Sequence, residues 1–334
     1  MNKILFVTND YAPWIDEDEN ILSKKFNVCR RHLSVKYYIN LFQVIADLLR
    51  SELIYLWFGS FVALPILCLA KVFQKNIVIV AGGFDVARLD EFNHGAFSKF
   101  KKSRWLRKFI FSLADFVFCV SKSNRQEAIN NASVAPEKAV LIPLGFKMLI
   151  GKYELLPWRQ RKNQVVSISS IGKKYSKIKG FDQLMAVAKS LPGIRFVHMG
   201  HIETSFLAEL QPLIPPNLKL MGFVPFESTT FLQTLGESKV IMQLSAYESF
   251  CSAIVEGGLC GCYPITSDRF ALLELTQIAG CSVKYGNVQE AADCVLKIIY
   301  SEQNCAELAD AFLNKFHLQA RQDLILKKIE DLIS

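Results

Sequence analysis

Short apolar runs recur along the first half of the chain, separated by segments in which apolar and polar positions alternate with helical spacing. The runs lie at residues 4–7, 53–57, 77–81, 116–120 and 140–142, and helical segments include 39–50 and 61–73. Strands that are apolar at every position must be covered on both faces, which is typical of parallel sheets. The pattern therefore predicts an α/β domain with a doubly wound sheet.

The same alternation begins again in the second half of the chain. Apolar runs at 165–169, 194–199, 218–221 and 240–244 predict strands, and 181–190 predicts a helix. Between the halves, residues 152–162 are charged and contain Pro157, which is typical of a domain boundary. We therefore expect two α/β domains, at 1–155 and 156–315, in a chain of 334 residues. The acidic segment 10–20 follows the first strand and predicts a loop at the ligand-binding end of the sheet.

The charge and the motifs narrow the class of protein. Lys and Arg outnumber Asp and Glu by 39 to 31, and the net charge of +8 favours anionic partners such as nucleotide phosphates or lipid headgroups. No zinc-finger, homeodomain or RNA-recognition motif occurs, which disfavours nucleic acid as a partner. No Gly-x-Gly-x-x-Gly follows a predicted strand, which disfavours an NAD-dependent dehydrogenase.

Cysteine usage and hydropathy indicate the compartment. The nine cysteines are scattered and odd in number, so we expect free thiols in a reducing, cytoplasmic environment. Residues 53–70 carry no charge, but Gly59 and Pro65 interrupt them. A buried strand, a turn and a helix are therefore favoured there over a transmembrane span.

The stretch 247–268 carries the most specific candidate chemistry. Glu248 and Glu256 flank a segment that predicts a loop and then a helix, with Ser249 as the N-cap. The free amides and the positive end of such a helix suit a diphosphate. Carboxylates only accept hydrogen bonds, so two of them beside one ligand suit a sugar or a ribose. A surface helix with two unrelated glutamates is the alternative.

This Glu-x7-Glu pattern, with Phe250 two residues after the first Glu, resembles the signature of retaining nucleotide-sugar glycosyltransferases of family 4. Their fold is GT-B, with two Rossmann-like domains whose parallel sheets face a central cleft. The resemblance implies that Glu248 contacts the donor sugar and Glu256 binds the ribose. It also implies that the backbone amides of Phe250, Cys251 and Ser252 hold the diphosphate. The family usually has Gly where this chain has Cys251, which reduces the space beside the sugar.

The loop 171–182 contains a second match. Gly172 and Lys173, or Lys174 if the loop shifts, stand where the family has Gly-Arg, and Lys179 matches its Lys-Gly element. The resemblance implies that Lys179 and Lys173 neutralise the donor diphosphate. Lys lacks the two-pronged fork of Arg, so phosphate binding is kept while orientation loosens. The alternative is a solvated basic loop.

Three further stretches of the second half match the family. Gly200 ends a predicted strand near the expected nucleotide, and Phe223 and Val224 belong to a Gly-x-Val element beside the base. The backbone would read the base there, so the side chains do not distinguish UDP from GDP donors. Residues 316–334 resemble the closing helix that crosses back to the first domain.

In the first half, two glycines and two titratable residues are candidates for the acceptor side. Gly82 and Gly83 permit close backbone approach after a strand, and Asp85 follows them in a Gly-Gly-Phe-Asp element that resembles some family members. A turn capped by Asp85 is the alternative. His94 is a candidate for orienting the acceptor or moving a proton, with a surface-loop histidine as the alternative.

Residues 97–111 interleave six basic residues with aromatic and apolar ones. Such a face suits an anionic membrane surface, with charges on headgroups and rings at the interface. The face also suits RNA, and an amphipathic helix packed on the domain is the alternative without a partner. We therefore expect a cytoplasmic protein that binds peripherally to the inner face of the cell membrane.

Together these features predict a retaining glycosyltransferase that moves a sugar from a UDP or GDP donor to a saccharide or lipid-linked acceptor, in cell-envelope polysaccharide synthesis. No Asp-x-Asp stands at a strand end, and the lysines can supply the positive charge, so neither a metal nor a cofactor is expected. The alternatives are a non-catalytic nucleotide-sugar-binding protein and a nucleotide-sugar epimerase on the same fold.

Overall fold

The computed structural model describes residues 3–34, 41–147 and 155–333. It contains two six-stranded sheets, and every pair of neighbouring strands is parallel. The predicted α/β class is therefore confirmed. Contacts divide the chain into a first unit, 1–145 with 318–334, and a second unit, 146–317. The first part of the expected boundary segment, 152–154, and the first two residues of the expected helix 39–50 lie outside the described residues.

The first unit has the strand order β2-β1-β3-β4-β5-β6. The strands are β1 (Lys3–Thr8), β2 (Asn27–His32), β3 (Leu53–Trp57), β4 (Asn76–Ala81), β5 (Phe116–Cys119) and β6 (Ala139–Leu141). The helices are α1 (Pro13–Ser23), α2 (Leu41–Arg50), α3 (Leu64–Val72), α4 (Ala96–Lys99), α5 (Arg104–Ser112) and α6 (Lys122–Asn130). The core is formed by apolar side chains of β1, β3, β4 and β5 under the helices, as expected for a sheet covered on both faces.

Strand β3, a short 3-10 turn and helix α3 account for the uncharged segment 53–70, as predicted. Among the described residues, no helix combines the length and the apolar character that a membrane crossing requires.

The prediction of a loop at 10–20 is wrong, because helix α1 begins at Pro13. Proline is well tolerated in a first helical turn, where its missing N–H has no partner to lose. Ile15, Ile21 and Leu22 form the buried face of α1, and Asp18 is buried with them. Only the residues before Pro13 form the connection that follows β1.

The second unit has the strand order β12-β11-β10-β7-β8-β9. The strands are β7 (Lys162–Ile168), β8 (Arg195–Met199), β9 (Leu218–Leu220), β10 (Ser238–Gln243), β11 (Tyr263–Ser267) and β12 (Cys281–Val283). The helices are α7 (Phe181–Ser190), α8 (Thr204–Leu210), α9 (Thr229–Gly236), α10 (Ser252–Leu259), α11 (Phe270–Thr276), α12 (Val288–Ile299) and α13 (Cys305–Phe316). The central strands β7 and β10 place their carboxyl ends side by side, which is where parallel sheets bind ligands.

The last helix, α14 (Leu318–Ile333), belongs to the first unit. Its Arg321 is buried and binds the equally buried Asp18 of α1 through two hydrogen bonds of 2.7 Å each. Tyr55 and Trp57 of β3 also donate to the Asp18 carboxylate, at 2.7 and 3.1 Å. One buried carboxylate therefore joins α1, β3 and α14.

Candidate functional site

The loop that follows β7 lies directly against the end of β10. Gly180 has φ +67°, and a Cβ there would lie 2.1 Å from the Leu244 carbonyl oxygen. The Ala246 N–H donates to the Ile178 carbonyl at 2.7 Å. Only glycine fits this close approach, which fixes the position of the neighbouring Lys179.

Lys179 and Glu248 form an ion pair at this point. The Lys179 Nζ lies 2.8 and 3.1 Å from the two carboxylate oxygens of Glu248, and the side chains are 32% and 13% exposed. Burial opposes the charge of Lys179, but the attraction and hydrogen bond of Glu248 outweigh it and raise the pKa of Lys179. The lysine is therefore fully charged at neutral pH, in a place with reduced solvent screening.

Two residues that the sequence analysis missed support this pair. The Ser245 hydroxyl donates to Glu248 Oε1 at 2.9 Å, and Gln243 Nε2 donates to the Lys179 carbonyl at 3.2 Å and to Ser245 Oγ at 2.7 Å. Gln243 is the last residue of β10 and Ser245 lies two residues after it, where polar residues replace the apolar run of the strand. That change from apolar to polar is the only signal in the sequence that points to them.

The helix between the two glutamates starts later than predicted. Helix α10 begins at Ser252 and its N-cap position is Cys251, so Ser249 as the N-cap is wrong. Glu256 consequently lies one turn inside the helix, whereas an N-cap at Ser249 would place it two turns inside. Phe250 is buried, and its ring contacts the rings of Phe146 and Phe316, with centroids 6.1 and 5.2 Å away. This packing anchors the segment that leads into the helix.

Cys251 has a left-handed backbone, with φ 73° and ψ 74°, which L residues other than Gly, Asn and Asp rarely adopt. Glycine, which the family described above usually carries at this position, adopts this conformation without a steric penalty. Position 251 therefore has the backbone conformation typical of glycine but carries a buried cysteine side chain.

We expect Cys251→Gly to be more stable than Cys251→Ala by about 1 kcal/mol, because both remove the sulfur and only Gly relieves the left-handed strain. Urea unfolding of both variants measures the difference. Ala208→Gly in the exposed part of α8 is the control, and there glycine should lower stability by about 1 kcal/mol. If Cys251→Ala is the more stable variant, position 251 is not strained.

Glu256 faces Ser252 on the preceding turn of α10. Burial raises the pKa of Glu256 to about 7, and the hydrogen bond with Ser252 offsets only part of that rise. The ion pairs of residues 3–34, 41–147 and 155–333 do not include Glu256. A carboxyl group near the amide end of a helix can accept hydrogen bonds from ligand hydroxyls once it is ionised.

Glu256→Gln should therefore stabilise the protein at pH 8 and not at pH 4.5. The folded protein retains the Glu256 proton up to about pH 7, whereas the unfolded chain loses it near pH 4.5. Wild-type stability thus falls as pH rises through this window, relative to the uncharged variant. The interval from pH 4.5 to about 7 corresponds to a gain of about 3 kcal/mol at pH 8.

Urea unfolding at both pH values measures this gain. Exposed Glu137→Gln serves as the control and should give the same stability difference at the two pH values. An equal effect of Glu256→Gln at both would contradict a raised pKa at this site.

Lys173 and Gly172 lie in the same loop after β7, at its solvent-exposed part. Lys173 is exposed, and its Nζ forms an ion pair with Glu209 of α8 at 2.7 Å. A Cβ at Gly172 would meet only the flexible end of Glu203, at 2.9 Å. Lys173 is thus held loosely in comparison with Lys179, since exposed pairs contribute little.

The residues expected near the base follow β8 and β9. Gly200 has φ +144°, and a Cβ there would lie 2.0 Å from the Ser169 carbonyl oxygen. Its N–H donates to the Gly222 carbonyl at 2.8 Å, which joins the two turns. Phe223 is 73% exposed and Val224 is partly buried. An aromatic ring this exposed is available to contact a ligand.

In the first unit, Gly82, Gly83 and Asp85 form one tight turn after β4. Asp85 is 4% exposed, and its carboxylate accepts from the N–H groups of Gly59 and Gly83, each at 2.9 Å. Burial raises the pKa of Asp85, and these backbone hydrogen bonds oppose the rise. A Cβ at Gly82 would lie 1.9 Å from the Phe58 ring. Asp85 therefore joins the turns after β3 and β4.

His94 is partly exposed and is held by its backbone and its ring. Its N–H and carbonyl both bond to Leu89, at 3.1 and 3.0 Å. Its ring meets the Phe84 ring edge to face, with the centroids 5.4 Å apart. His94 thus lies next to the Gly82–Gly83 turn, on the same side of the first unit.

The basic and aromatic segment 97–111 divides into an inner and an outer face. Arg107 is buried over the rings of Phe61 and Phe100, at 4.0 and 4.7 Å. The outer face exposes Trp105 by 69% and Phe109 by 43%. Its exposed lysines are Lys99, Lys101, Lys102 and Lys108. We call these six residues the α5 face; Arg107, buried in the unit, is not part of it.

With this geometry in place, comparison with known proteins decides the fold. The chain is similar over 99% of its length to all of HepE of Anabaena, solved with UDP and glucose, with a TM-score of 0.74 and 17% identity. Sucrose-phosphate synthase of Thermosynechococcus elongatus gives a TM-score of 0.77 and 13% identity, with 99% of each chain covered. The chain has the GT-B fold.

Similarity in sequence to known proteins covers less of the chain than similarity in structure does. No protein-family model matches the chain. A phosphatidylinositol N-acetylglucosaminyltransferase component of Arabidopsis thaliana is 25% identical over 167 residues. That match covers 47% of this chain and 36% of the plant protein, so the chain spans about a third of the curated relative it matches.

The second unit of this GT-B chain brings several predicted residues together. Lys179 and Glu248 touch, and Cys251 and Ser252 begin the helix that carries Glu256. Lys173, Gly200 and Phe223 lie on neighbouring turns, where Lys173 pairs with Glu209 rather than with Glu248. Within 3–34, 41–147 and 155–333, no cluster of three or more His, Cys, Asp or Glu forms a metal site. Metal independence remains a prediction.

Proposed function

We propose that this GT-B protein is a retaining glycosyltransferase that uses a nucleoside-diphosphate sugar of the UDP or GDP type. The observation that supports this most is the charged Lys179–Glu248 pair beside the amide end of α10, with the partly buried Glu256 one turn inside. A cation, free amides and two carboxylates suit the phosphates and the hydroxyls of such a donor. The structural neighbours include HepE in complex with UDP and glucose, and a sucrose-phosphate synthase.

In this proposal, negative charge grows on the diphosphate as the sugar departs. Lys179, the amides of 250–252 and the more loosely held Lys173 stabilise that charge. Glu248 releases Lys179 to the phosphates and accepts from the donor sugar, while Glu256 accepts from the ribose. The lysines take the part that a divalent metal plays in other transferases, so no metal is required.

The proposed acceptor is a saccharide or a lipid-linked saccharide of cell-envelope polysaccharide synthesis. The name of the plant relative refers to a phosphatidylinositol acceptor. The α5 face agrees with such an acceptor, since it offers rings and lysines to an anionic membrane surface. On the acceptor side, we propose that His94 orients the acceptor and that Asp85 shapes the turn of Gly82 and Gly83 beside it.

Calorimetric titration with UDP, GDP and ADP, with and without EDTA, tests the donor assignment. We expect one of UDP and GDP to bind, with an affinity that EDTA leaves unchanged. The matching labelled donors are then tested for transfer, and the anomeric configuration of the product by NMR should equal that of the donor. Binding without turnover would indicate a non-catalytic binding protein, and release of an altered free sugar would indicate an epimerase. Either result would overturn the transferase proposal.

The double variant Trp105→Ser/Phe109→Ser should bind anionic vesicles at least about tenfold more weakly than wild type, because both rings leave the interface. Co-sedimentation with phosphatidylglycerol vesicles measures this, and raising the salt should weaken wild-type binding. Phe223→Ser removes an equally exposed ring from the second unit and should change nothing. Equal binding by wild type to neutral phosphatidylcholine vesicles would contradict an electrostatic contact.

A further inference from the structure

Three arginines are buried among the described residues, and one of them differs from the other two. Arg161 donates to three backbone carbonyls, and Arg321 donates to the Asp18 carboxylate and to two carbonyls. Arg107, which is 5% exposed, forms no hydrogen bond or ion pair within residues 3–34, 41–147 and 155–333, and its Nε is buried. A buried guanidinium without an acceptor is unusual, because leaving the N–H groups of a charged side chain unsatisfied costs stability.

Two aromatic rings lie against Arg107 where an acceptor would be expected. The guanidinium carbon Cζ is 4.0 Å from the centroid of the Phe61 ring and 4.7 Å from that of Phe100, and the two rings meet edge to face. Ring faces attract a cation, but they do not satisfy its N–H groups as an oxyanion does. Burial lowers the pKa of Arg107, and the attraction of the Asp85 carboxylate opposes that change. The rings therefore hold a charged group in place and leave its N–H groups without an acceptor.

Arg107 lies near the edge of the first sheet at which strands β3 and β4 end. Phe61 follows the turn after β3, and a Cβ at Gly59 in that turn would lie 2.5 Å from the Phe111 ring, so helix α5 packs directly against the turn. Phe111 is one helical turn from Arg107, on the same face of α5. The Gly59 N–H donates to Asp85 at 2.9 Å, which joins this turn to the one after β4. Parallel sheets bind ligands at the carboxyl ends of their strands, so the guanidinium is placed where a ligand can reach it.

The outer side of the same helix carries the α5 face. Its exposed rings, Trp105 and Phe109, stand two positions before and after Arg107. An α-helix with its side chains is about 10–12 Å across, so a lipid headgroup that meets the α5 face is within about one helix diameter of the guanidinium. The oxyanion that every phospholipid surface presents is a phosphate, and the planar fork of arginine matches two phosphate oxygens.

We propose that Arg107 binds the phosphate group through which the acceptor saccharide is linked to its lipid. The inference rests on the proposed transferase function with a lipid-linked acceptor. Since Nε is buried, the outer nitrogens Nη1 and Nη2 donate to the phosphate oxygens. The rings of Phe61 and Phe100 keep water away from the guanidinium, so its attraction for the phosphate is only weakly screened. An acceptor without the phosphate leaves the guanidinium unpaired, so the site selects phosphate-linked acceptors.

Arg107→Met tests whether the guanidinium serves binding rather than folding. Methionine keeps an unbranched side chain against the two rings and removes a buried charge that has no hydrogen-bonded partner. We therefore expect the variant to unfold at a urea concentration no lower than that of wild type. A clear fall in this midpoint would show that Arg107 is needed for folding and would overturn the proposal.

Calorimetric titration of the full chain with dihexanoyl phosphatidylglycerol, below its micelle concentration and without donor, measures binding. We expect Arg107→Met to bind this phosphodiester at least about tenfold more weakly than wild type, and Arg107→Lys to lie between the two. Lys71→Met removes an exposed lysine near the end of helix α3 that is remote from Phe61, and this control should bind as wild type does. Equal binding by wild type and Arg107→Met, or no binding by wild type, would overturn the proposal.

Inorganic phosphate and hexanoate, titrated into the wild-type protein, identify the source and the kind of the anion. Both should bind more weakly than dihexanoyl phosphatidylglycerol. Equally tight binding of inorganic phosphate would indicate a site for the free anion, and tighter binding of hexanoate a carboxylate site; either would overturn the proposal. Because these titrations contain no donor, binding that depends on Arg107 supports the site even if no sugar is transferred. Transfer at an unchanged rate in Arg107→Met to a lipid-linked acceptor would instead overturn the site and leave the transferase function standing.

Discussion

Arg321→Ala is expected to lower the free energy of unfolding of the first unit by about 3–5 kcal/mol, the cost of removing one partner from a buried ion pair. Arg321 is 3% exposed and Asp18 is fully buried, so water cannot replace the guanidinium. Among the described residues, the Asp18 carboxylate would then keep Tyr55 and Trp57 as its side-chain donors. It would also leave the carbonyls of 142 and 143, which accept from Arg321 at 2.8 Å, without this donor.

Urea unfolding followed by tryptophan fluorescence measures this loss, because Trp57 lies under the Arg321 guanidinium. Lys327→Ala on the exposed side of the same helix is the control, with an expected change within about 0.5 kcal/mol. The apolar double variant Asp18→Leu/Arg321→Met should recover part of the loss, since no unpaired charge stays buried. If Arg321→Ala were as stable as Lys327→Ala, the buried pair would not hold helix α14.

Lys179→Ala should weaken binding of the donor nucleotide by about 1.5–3 kcal/mol, or about 10- to 150-fold in Kd, the scale of a charged hydrogen bond. Two effects add. The variant removes the cation that faces the phosphates, and it leaves the 13% exposed Glu248 without its partner. An uncompensated carboxylate in this position would repel the diphosphate.

Calorimetry with the nucleotide that wild type binds measures this change. Lys177→Ala is the matched control, because Lys177 is an exposed lysine of the same loop. It should bind within a factor of about two of wild type. Adding Glu248→Gln to Lys179→Ala removes the repulsion and should restore part of the affinity; no restoration would mean that the loss comes entirely from the missing phosphate contact. An unchanged Kd in a folded Lys179→Ala protein would contradict the donor site.

The strands that sequence predicts best are those buried on both faces. The predicted runs 4–7, 53–57, 77–81, 116–120 and 140–142 all lie within one residue of an observed strand. A short, uninterrupted apolar run is typical of a strand of a parallel sheet, which is covered on both faces. The hydropathy pattern misses strand β2 because Arg30 and Arg31 interrupt its apolar positions. Their charges are satisfied by partners on neighbouring helices, Asp16 with Glu19 and Asp47. Ion pairs between different secondary-structure elements produce no periodic pattern in the local sequence, so they cannot be predicted from it.

In the candidate site too, local motifs predict some residues, whereas contacts between distant residues are seen only in the structure. Short motifs single out Glu248 and Lys179, and the structure brings them into contact across 69 positions of the chain. The predicted start of helix α10 is wrong because Ser249 has the usual chemistry of an N-cap, whereas the backbone turns at Cys251. No propensity predicts a left-handed cysteine. The Asp18–Arg321 pair spans 303 positions, and only the packed structure identifies Asp18 as its partner.

The position of helix α14 has a consequence for biosynthesis. Residues 318–333 leave the ribosome after all of 146–317, so every strand of the second unit is available while the first unit still lacks its last helix. Until then, the Asp18 carboxylate has no guanidinium to neutralise it. The nascent first unit therefore stays incomplete through the synthesis of the second, and a chain cut before residue 318 would lack the guanidinium that pairs with Asp18.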